Sequence, residues 1–109
     1  MPYTALPTFI ETRRFSRLVQ NYLTDEEYQA LQHELIRNPD AGALIRGSGG
    51  VRKIRWASRG GGKRGGYRVI YLLQRAENVI WLITIYPKGS VDSIPNHILK
   101  EISREISDE

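Results

Sequence analysis

"YRVIYLLQRAENVIWLITIY" (Tyr67–Tyr86) contains two runs, Tyr67–Gln74 and Val79–Tyr86, that are rich in Val, Ile, Leu and aromatic residues and read as β-strands. Gln74–Asn78 between them is short enough for a hairpin. Both runs are nearly continuously apolar, a pattern expected of strands covered on both faces. Upstream, "VRKIRWAS" (Val51–Ser58) reads as a third strand of different character. Ile54 and Trp56 fall on one face and Lys53 and Arg55 on the other, because side chains alternate along a strand. One face enters a core; the other is cationic.

Farther out, helical patterns flank these strands. "TFIET" (Thr8–Thr12) is a candidate first strand, and "RRFSRLVQNYL" places Phe15, Leu18, Val19 and Tyr22 at helical spacing. In "LTDEEYQALQHELIRNPDAG", Thr24 and Glu27 have the spacing of a capping box. Asp25, Glu26 and Glu27 suit the positive end of the helix dipole. Tyr28, Leu31, Leu35 and Ile36 form its apolar face, and Asn38-Pro39 stops it. "DSIPNHILKEISREI" predicts a short final helix with Ile98, Ile102 and Ile106 recurring every four residues. Pro95 is tolerated in its first turn. The expected fold is α+β, a single domain over residues 1–109. Its sheet has about four mostly antiparallel strands, with an N-terminal helical hairpin and a short C-terminal helix packed on one side.

The 109 residues carry a net charge of +4, which understates the asymmetry. Between Ala41 and Ala76 there are nine Lys and Arg residues and no acid; the remainder holds seven basic and twelve acidic residues, net −5. Such a block attracts polyanions and speeds encounter with them. The chain has no cysteine, so disulfides, thiolate chemistry and thiolate-bound metal are excluded. The N-terminus lacks the cationic start and apolar core of a secretory signal, and no apolar run reaches membrane-spanning length. A cytoplasmic location is expected.

"GGGKRG" (Gly60–Gly65) matches G-x-G-x-x-G literally, but a dinucleotide site needs a strand before it and a helix after it, and here a strand follows. A Walker A loop fails too, because Gly62-Lys63 is followed by Arg64 rather than Ser or Thr. The glycine backbone retains the capacity to present N–H groups to a phosphate. His33 and His97 stand apart with no ligand spacing around them, so no metal or other cofactor is expected. No nucleophile elbow is present. The residues that converge are Lys53 and Arg55, Arg68 across the loop, and Tyr86 and Lys88 at the end of the last strand. Tyr67, Tyr71 and Tyr86 are candidates to stack on bases, although core packing competes for Tyr67 and Tyr71. A cationic cluster of this kind offsets charge on a phosphate undergoing attack by the RNA 2′-OH.

"VRKIRWASRGGGKRGGYRVIYLL" followed by "IWLITIYPKG" resembles the RelE/ParE superfamily of bacterial type II toxins, and within it the HigB/RelE-like branch. The K-I-R, G-K-R-G-G-x-R-V-I-Y and L-x-x-I-Y-x-K elements agree in order and spacing between Val51 and Lys88. The resemblance implies a metal-independent, ribosome-dependent mRNA endonuclease that blocks translation. It implies a cognate antitoxin with a helix-turn-helix domain, through which alone operator DNA would be met. Lys53, Arg55, Arg68 and Lys88 take the positions of the family's phosphate-binding basic residues. "PKGSVDSIPN" lacks the family's second basic residue and downstream Tyr, so Tyr86 is the substitute candidate. The expected catalytic set is therefore Lys53, Arg55, Arg68, Tyr86 and Lys88, with Arg52, Arg59, Lys63, Arg64 and Tyr67 as RNA contacts. A gyrase-directed ParE-like toxin and a non-catalytic RNA-binding module remain alternatives.

Overall fold

The computed structural model describes residues 5–57, 66–90 and 93–107. In chain order the elements are β1 (Thr8–Glu11), α1 (Arg13–Tyr22), α2 (Asp25–Arg37), β2 (Ala43–Leu44), β3 (Arg52–Trp56), β4 (Tyr67–Gln74), β5 (Val79–Pro87) and α3 (Asn96–Ser107). They form one five-stranded sheet in the order β1-β5-β4-β3-β2. All neighbours are antiparallel except β1 and β5, which are parallel. The helical hairpin between β1 and the remaining strands is long enough to return the chain for that parallel edge.

Both helices of the hairpin have stated starts. The Thr12 side chain accepts from the Phe15 N–H at 3.1 Å, and Thr24 and Glu27 complete the capping box expected of them. Phe15, Val19, Leu31 and Leu35 are buried and pack on Ile54, Val69, Tyr71, Ile80, Leu82 and Ile85 of the first sheet face. Leu31 and Leu35 are fully buried, and each such side chain stabilises the fold by about 1.5–3 kcal/mol. Tyr71 anchors the loop after α2: its hydroxyl donates to the Pro39 carbonyl at 2.7 Å and accepts from the Gly42 N–H at 2.9 Å.

Helices cover both faces of the sheet, not one. α3 lies on the second face, where Leu99 and Ile106 meet Val51, Ile70, Leu72, Ile83 and Tyr86. The two sides explain the unbroken apolar runs of β4 and β5. The buried stripe of α3 is Leu99, Ser103 and Ile106, with Ile102 partly buried, rather than the four-spaced isoleucines. Four residues advance an α-helix by more than one turn, so a strict four-residue repeat drifts around the helix. Ser103 is buried because the glycine-rich connector between β2 and β3, residues 45–51, presses on it: a Cβ at Gly49, where φ is +82°, would stand 2.2 Å from Ser103 Oγ. Just ahead of the connector lies β2, a two-residue edge strand absent from the sequence reading. Its Ala43-Leu44 pair is too short to leave a periodic signal.

A β-bulge sits in β5. Ile70 pairs with Thr84, but Tyr71 pairs with Leu82, so Ile83 has no partner on β4. The Thr12 hydroxyl donates to the Ile83 carbonyl at 2.7 Å, and the Thr12 N–H donates to Leu82. One residue thus caps α1 and secures the bulge. The bulge shifts side-chain parity along the strand. Before it, Ile80 and Leu82 enter the first core; after it Ile85 does, and Tyr86 turns to the second face.

Candidate functional site

Strand register brings three residues into one row. Arg55 lies opposite Arg68, and Arg68 lies opposite Tyr86. Directly paired residues stand about 5 Å apart. Alternation adds Lys53 to the Arg55 side of β3 and Thr84 to the Tyr86 side of β5. Lys53 and Arg55 are exposed, Arg68 is half-buried, and Tyr86 is buried, with 8 % of its surface accessible. The row occupies the second sheet face beside the start of α3.

Two arginines directly opposite each other repel, and an anion placed between them reverses the sign of that interaction. Their guanidinium forks match phosphate oxygens in geometry as well as charge. Tyr86 differs in kind. Burial raises its pKa above the ordinary tyrosine value, while the positive charge of Arg68 pulls the other way. The net effect keeps the phenol protonated at neutral pH, so at this position Tyr86 is equipped to donate a proton rather than to abstract one.

The remaining expected residues divide. Lys88 is exposed just past the end of β5, and its backbone N–H donates to the Gly66 carbonyl at 3.2 Å. Gly66 returns the chain to β4 at φ +56°, where a Cβ would meet the Trp56 carbonyl oxygen at 2.6 Å. That close approach fixes where Arg68 enters the sheet. Arg52 leaves the cluster: it faces away from Lys53, donates to the Gly42 carbonyl at 2.7 Å and pairs with Asp40 at 3.3 Å. Arg75 also pairs with Asp40, at 2.7 Å. Tyr67 likewise lies on the opposite face, packed against the first core, with its ring centroid 5.1 Å from that of Tyr22. Strand alternation separates Tyr67 from Arg68 and Arg52 from Lys53, so neither residue lies on the row's face. Arg59, Lys63 and Arg64 lie outside the described residues.

Arg14 is an addition that the sequence reading did not single out. From α1 its Nε donates to Thr84 Oγ1 at 3.2 Å, bringing a further guanidinium to the β5 end of the face. The Arg13-Arg14 pair is visible in the sequence, but its meeting with Thr84 depends on the bulge. His33 and His97 are both exposed, and among the described residues no group of three His, Asp or Glu side chains is arranged to hold a metal ion.

No protein-family model matches the sequence. Solved structures do match the fold. A doubly arginine-substituted mutant of the E. coli toxin RelE in the free state superposes with a TM-score of 0.61 at 16% identity, over 92% of this chain and 98% of that one. The intact E. coli RelBE toxin–antitoxin complex matches with a TM-score of 0.57 and 19% identity, over 79% of this chain and 100% of the other. The archaeal RelE–RelB complex from Pyrococcus horikoshii OT3 gives 0.54 and 19% identity, over 80% and 100%. With its five-stranded, mostly antiparallel sheet between a helical hairpin and a C-terminal helix, the chain has the RelE fold.

Proposed function

We propose that this chain is the toxin of a type II toxin–antitoxin pair, an endoribonuclease that cleaves mRNA on translating ribosomes and is neutralised by a cognate antitoxin. The observation that carries the reading is the Arg55–Arg68–Tyr86 row, with Lys53 beside it, on a sheet face that α3 covers only in part. Similarity to RelE in free and antitoxin-bound forms supports it. The sequence pattern from Val51 to Lys88 points to the HigB/RelE-like branch.

The chemistry follows from the side chains. The RNA 2′-OH attacks the adjacent phosphorus and gives up its proton to solvent water. The new O2′–P bond closes a 2′,3′-cyclic phosphate as the P–O5′ bond breaks, and the 5′-oxygen leaves with a proton taken from the protein, which solvent then restores. Arg55 and Arg68 hold the phosphate and offset the charge that accumulates on its oxygens. Tyr86 supplies the departing proton, since an alkoxide is far more basic than a phenolate. Lys53 and Lys88 add positive charge along the strand of RNA, and no step calls for a metal ion. The antitoxin would mask this face with negative charge or a covering segment. A helix-turn-helix domain on that partner would make the contact with operator DNA.

The test is expression under tight control in a host lacking an antitoxin, with translation and mRNA integrity followed over time. Translation should stop and ribosome-bound mRNAs should be cut, and Arg68→Ala and Lys53→Ala should relieve both effects while the protein stays folded. Intact mRNA with continued growth would overturn the reading. Full toxicity in a folded Lys53→Ala/Arg68→Ala double mutant would overturn the site.

A further inference from the structure

A cavity of about 280 Å³ opens beside the cationic row. Its walls are Ile45 from the connector before β3, Ile70 from β4, and Ile94 and Leu99 from the start of α3. Lys53 and Tyr86 also line it, so the cavity and the row share two side chains. We propose that this cavity receives a single nucleobase of the RNA whose phosphate lies on Arg55 and Arg68; the proposal rests on the reading above.

Three properties select that occupant. The volume lies just below the range of about 300–1,000 Å³ typical of sites for larger organic ligands, which suits one flat ring system and excludes a dinucleotide. The lining exposes polar and apolar surface in nearly equal measure, with Ser93, Asn96, Lys53 and Tyr86 beside the isoleucines and Leu99, a mix that accepts a base by its faces and reads it by its polar groups. Asn96 supplies one such group. Its Nδ2 donates to the Arg46 carbonyl at 2.9 Å, which orients the amide and leaves Oδ1 as its acceptor. The third property is continuity. A nucleotide is an anionic phosphate joined to a planar base with apolar faces and polar edges, and here a cationic row runs directly into a slot of mixed apolar and polar lining through Lys53 and Tyr86. An inorganic anion would use only the row, and an apolar side chain would use only the slot.

Methyl-labelled protein titrated with adenosine 3′-monophosphate, and separately with inorganic phosphate, distinguishes these cases by NMR. The nucleotide should shift the methyl signals of Ile45, Ile70, Ile94 and Leu99, and phosphate alone should shift only the side-chain signals of Arg55 and Arg68. Ile94→Trp should fill the slot and weaken nucleotide binding about tenfold, the scale of one lost base-stacking contact, with the phosphate response unchanged. Ile45→Trp, on the opposite wall, should act alike, so that misfolding of one variant does not decide the matter. Arginine shifts from both ligands with no methyl shifts would overturn the pocket while leaving the nuclease reading standing. Methyl shifts from the nucleotide, in a protein that leaves ribosome-bound mRNA intact, would support the pocket and refute the nuclease.

Discussion

Replacing Tyr86 by Phe separates a proton donor from a wall of the fold. The ring is buried in the cluster that contains Ile70, Ile83 and Leu99, and Phe retains nearly all of its volume. Stability should therefore change by less than about 1.5 kcal/mol, the usual limit for volume-conserving exchanges. Catalysis should fall much further. A positioned general acid contributes about 10²–10⁴-fold, equivalent to about 3–5 kcal/mol of barrier. Single-turnover cleavage of mRNA on programmed ribosomes measures that loss. An RNA whose leaving 5′-oxygen is replaced by sulfur tests the cause, because a thiolate departs without a proton. The Phe variant should cut it at close to the wild-type rate. The pH dependence supplies a second check. Burial raises the pKa of Tyr86, so the wild-type rate should persist as pH rises to the ordinary tyrosine value of about 10. A Phe variant that cuts ordinary mRNA as fast as the wild type refutes the donor role. Equal slowing on both RNAs would reduce Tyr86 to a residue that places the phosphate.

Other perturbations test the assignments around it. Arg52→Ala should destabilise the protein by about 1–3 kcal/mol in urea titration, since it breaks the bonds to Gly42 and Asp40, while RNA cleavage by the folded fraction stays at the wild-type level; reduced cleavage would return Arg52 to the site. Gly49→Ala combines a left-handed backbone with a contact of 2.2 Å to Ser103 Oγ, and should cost about 2–4 kcal/mol and loosen α3 in hydrogen exchange; wild-type protection of α3 would refute that account of its docking. Burial raises the pKa values of Tyr28, Tyr71 and Tyr86. The unfolded chain loses these protons first, so stability is constant below pH 10 and falls above it, by up to about 1.4 kcal/mol per pH unit for each tyrosine held protonated. Alkaline denaturation of the three single Phe variants should show shallower slopes, and an unchanged slope in all three would contradict the burial argument.

The parts of the fold legible in the sequence were those with local causes. The capping box at Thr24 and Glu27, the stop at Asn38-Pro39 and the hairpin at Gln74–Asn78 each follow from side chains acting within a few residues of themselves. The cationic face of β3 was equally legible, because alternation depends only on the backbone. What escaped depends on distant contacts. β2 exists because Ala43 and Leu44 find Lys53 and Arg52, and its two residues carry no pattern. Leu99 rather than Ile98 enters the core because α3 is set against the glycine connector through Ser103. Arg52 and Tyr67 share their strands with Lys53 and Arg68 but alternate onto the opposite face, a separation that the alternation in the sequence already contains.

Tyr86 shows most directly how such a distant contact shapes the candidate site. Counted by strict alternation from Ile80 and Leu82, Tyr86 would point into the first core with them. The residue that prevents this is Thr12, whose hydroxyl holds the Ile83 carbonyl at 2.7 Å and whose oxygen also accepts from Phe15. The bulge inserts one residue, reverses the parity of everything after it, and puts Tyr86 opposite Arg68 on the cationic face. The same reversal aligns Thr84 with Ile70 and brings it within reach of Arg14. The composition of the row is thus set at three levels. The acid-free segment supplies the charge, alternation in β3 and β4 sorts it onto one face, and a threonine at the far edge of the sheet turns Tyr86, the proposed proton donor, toward it. The proposed activity therefore depends on residues outside the row itself, with Thr12 foremost among them.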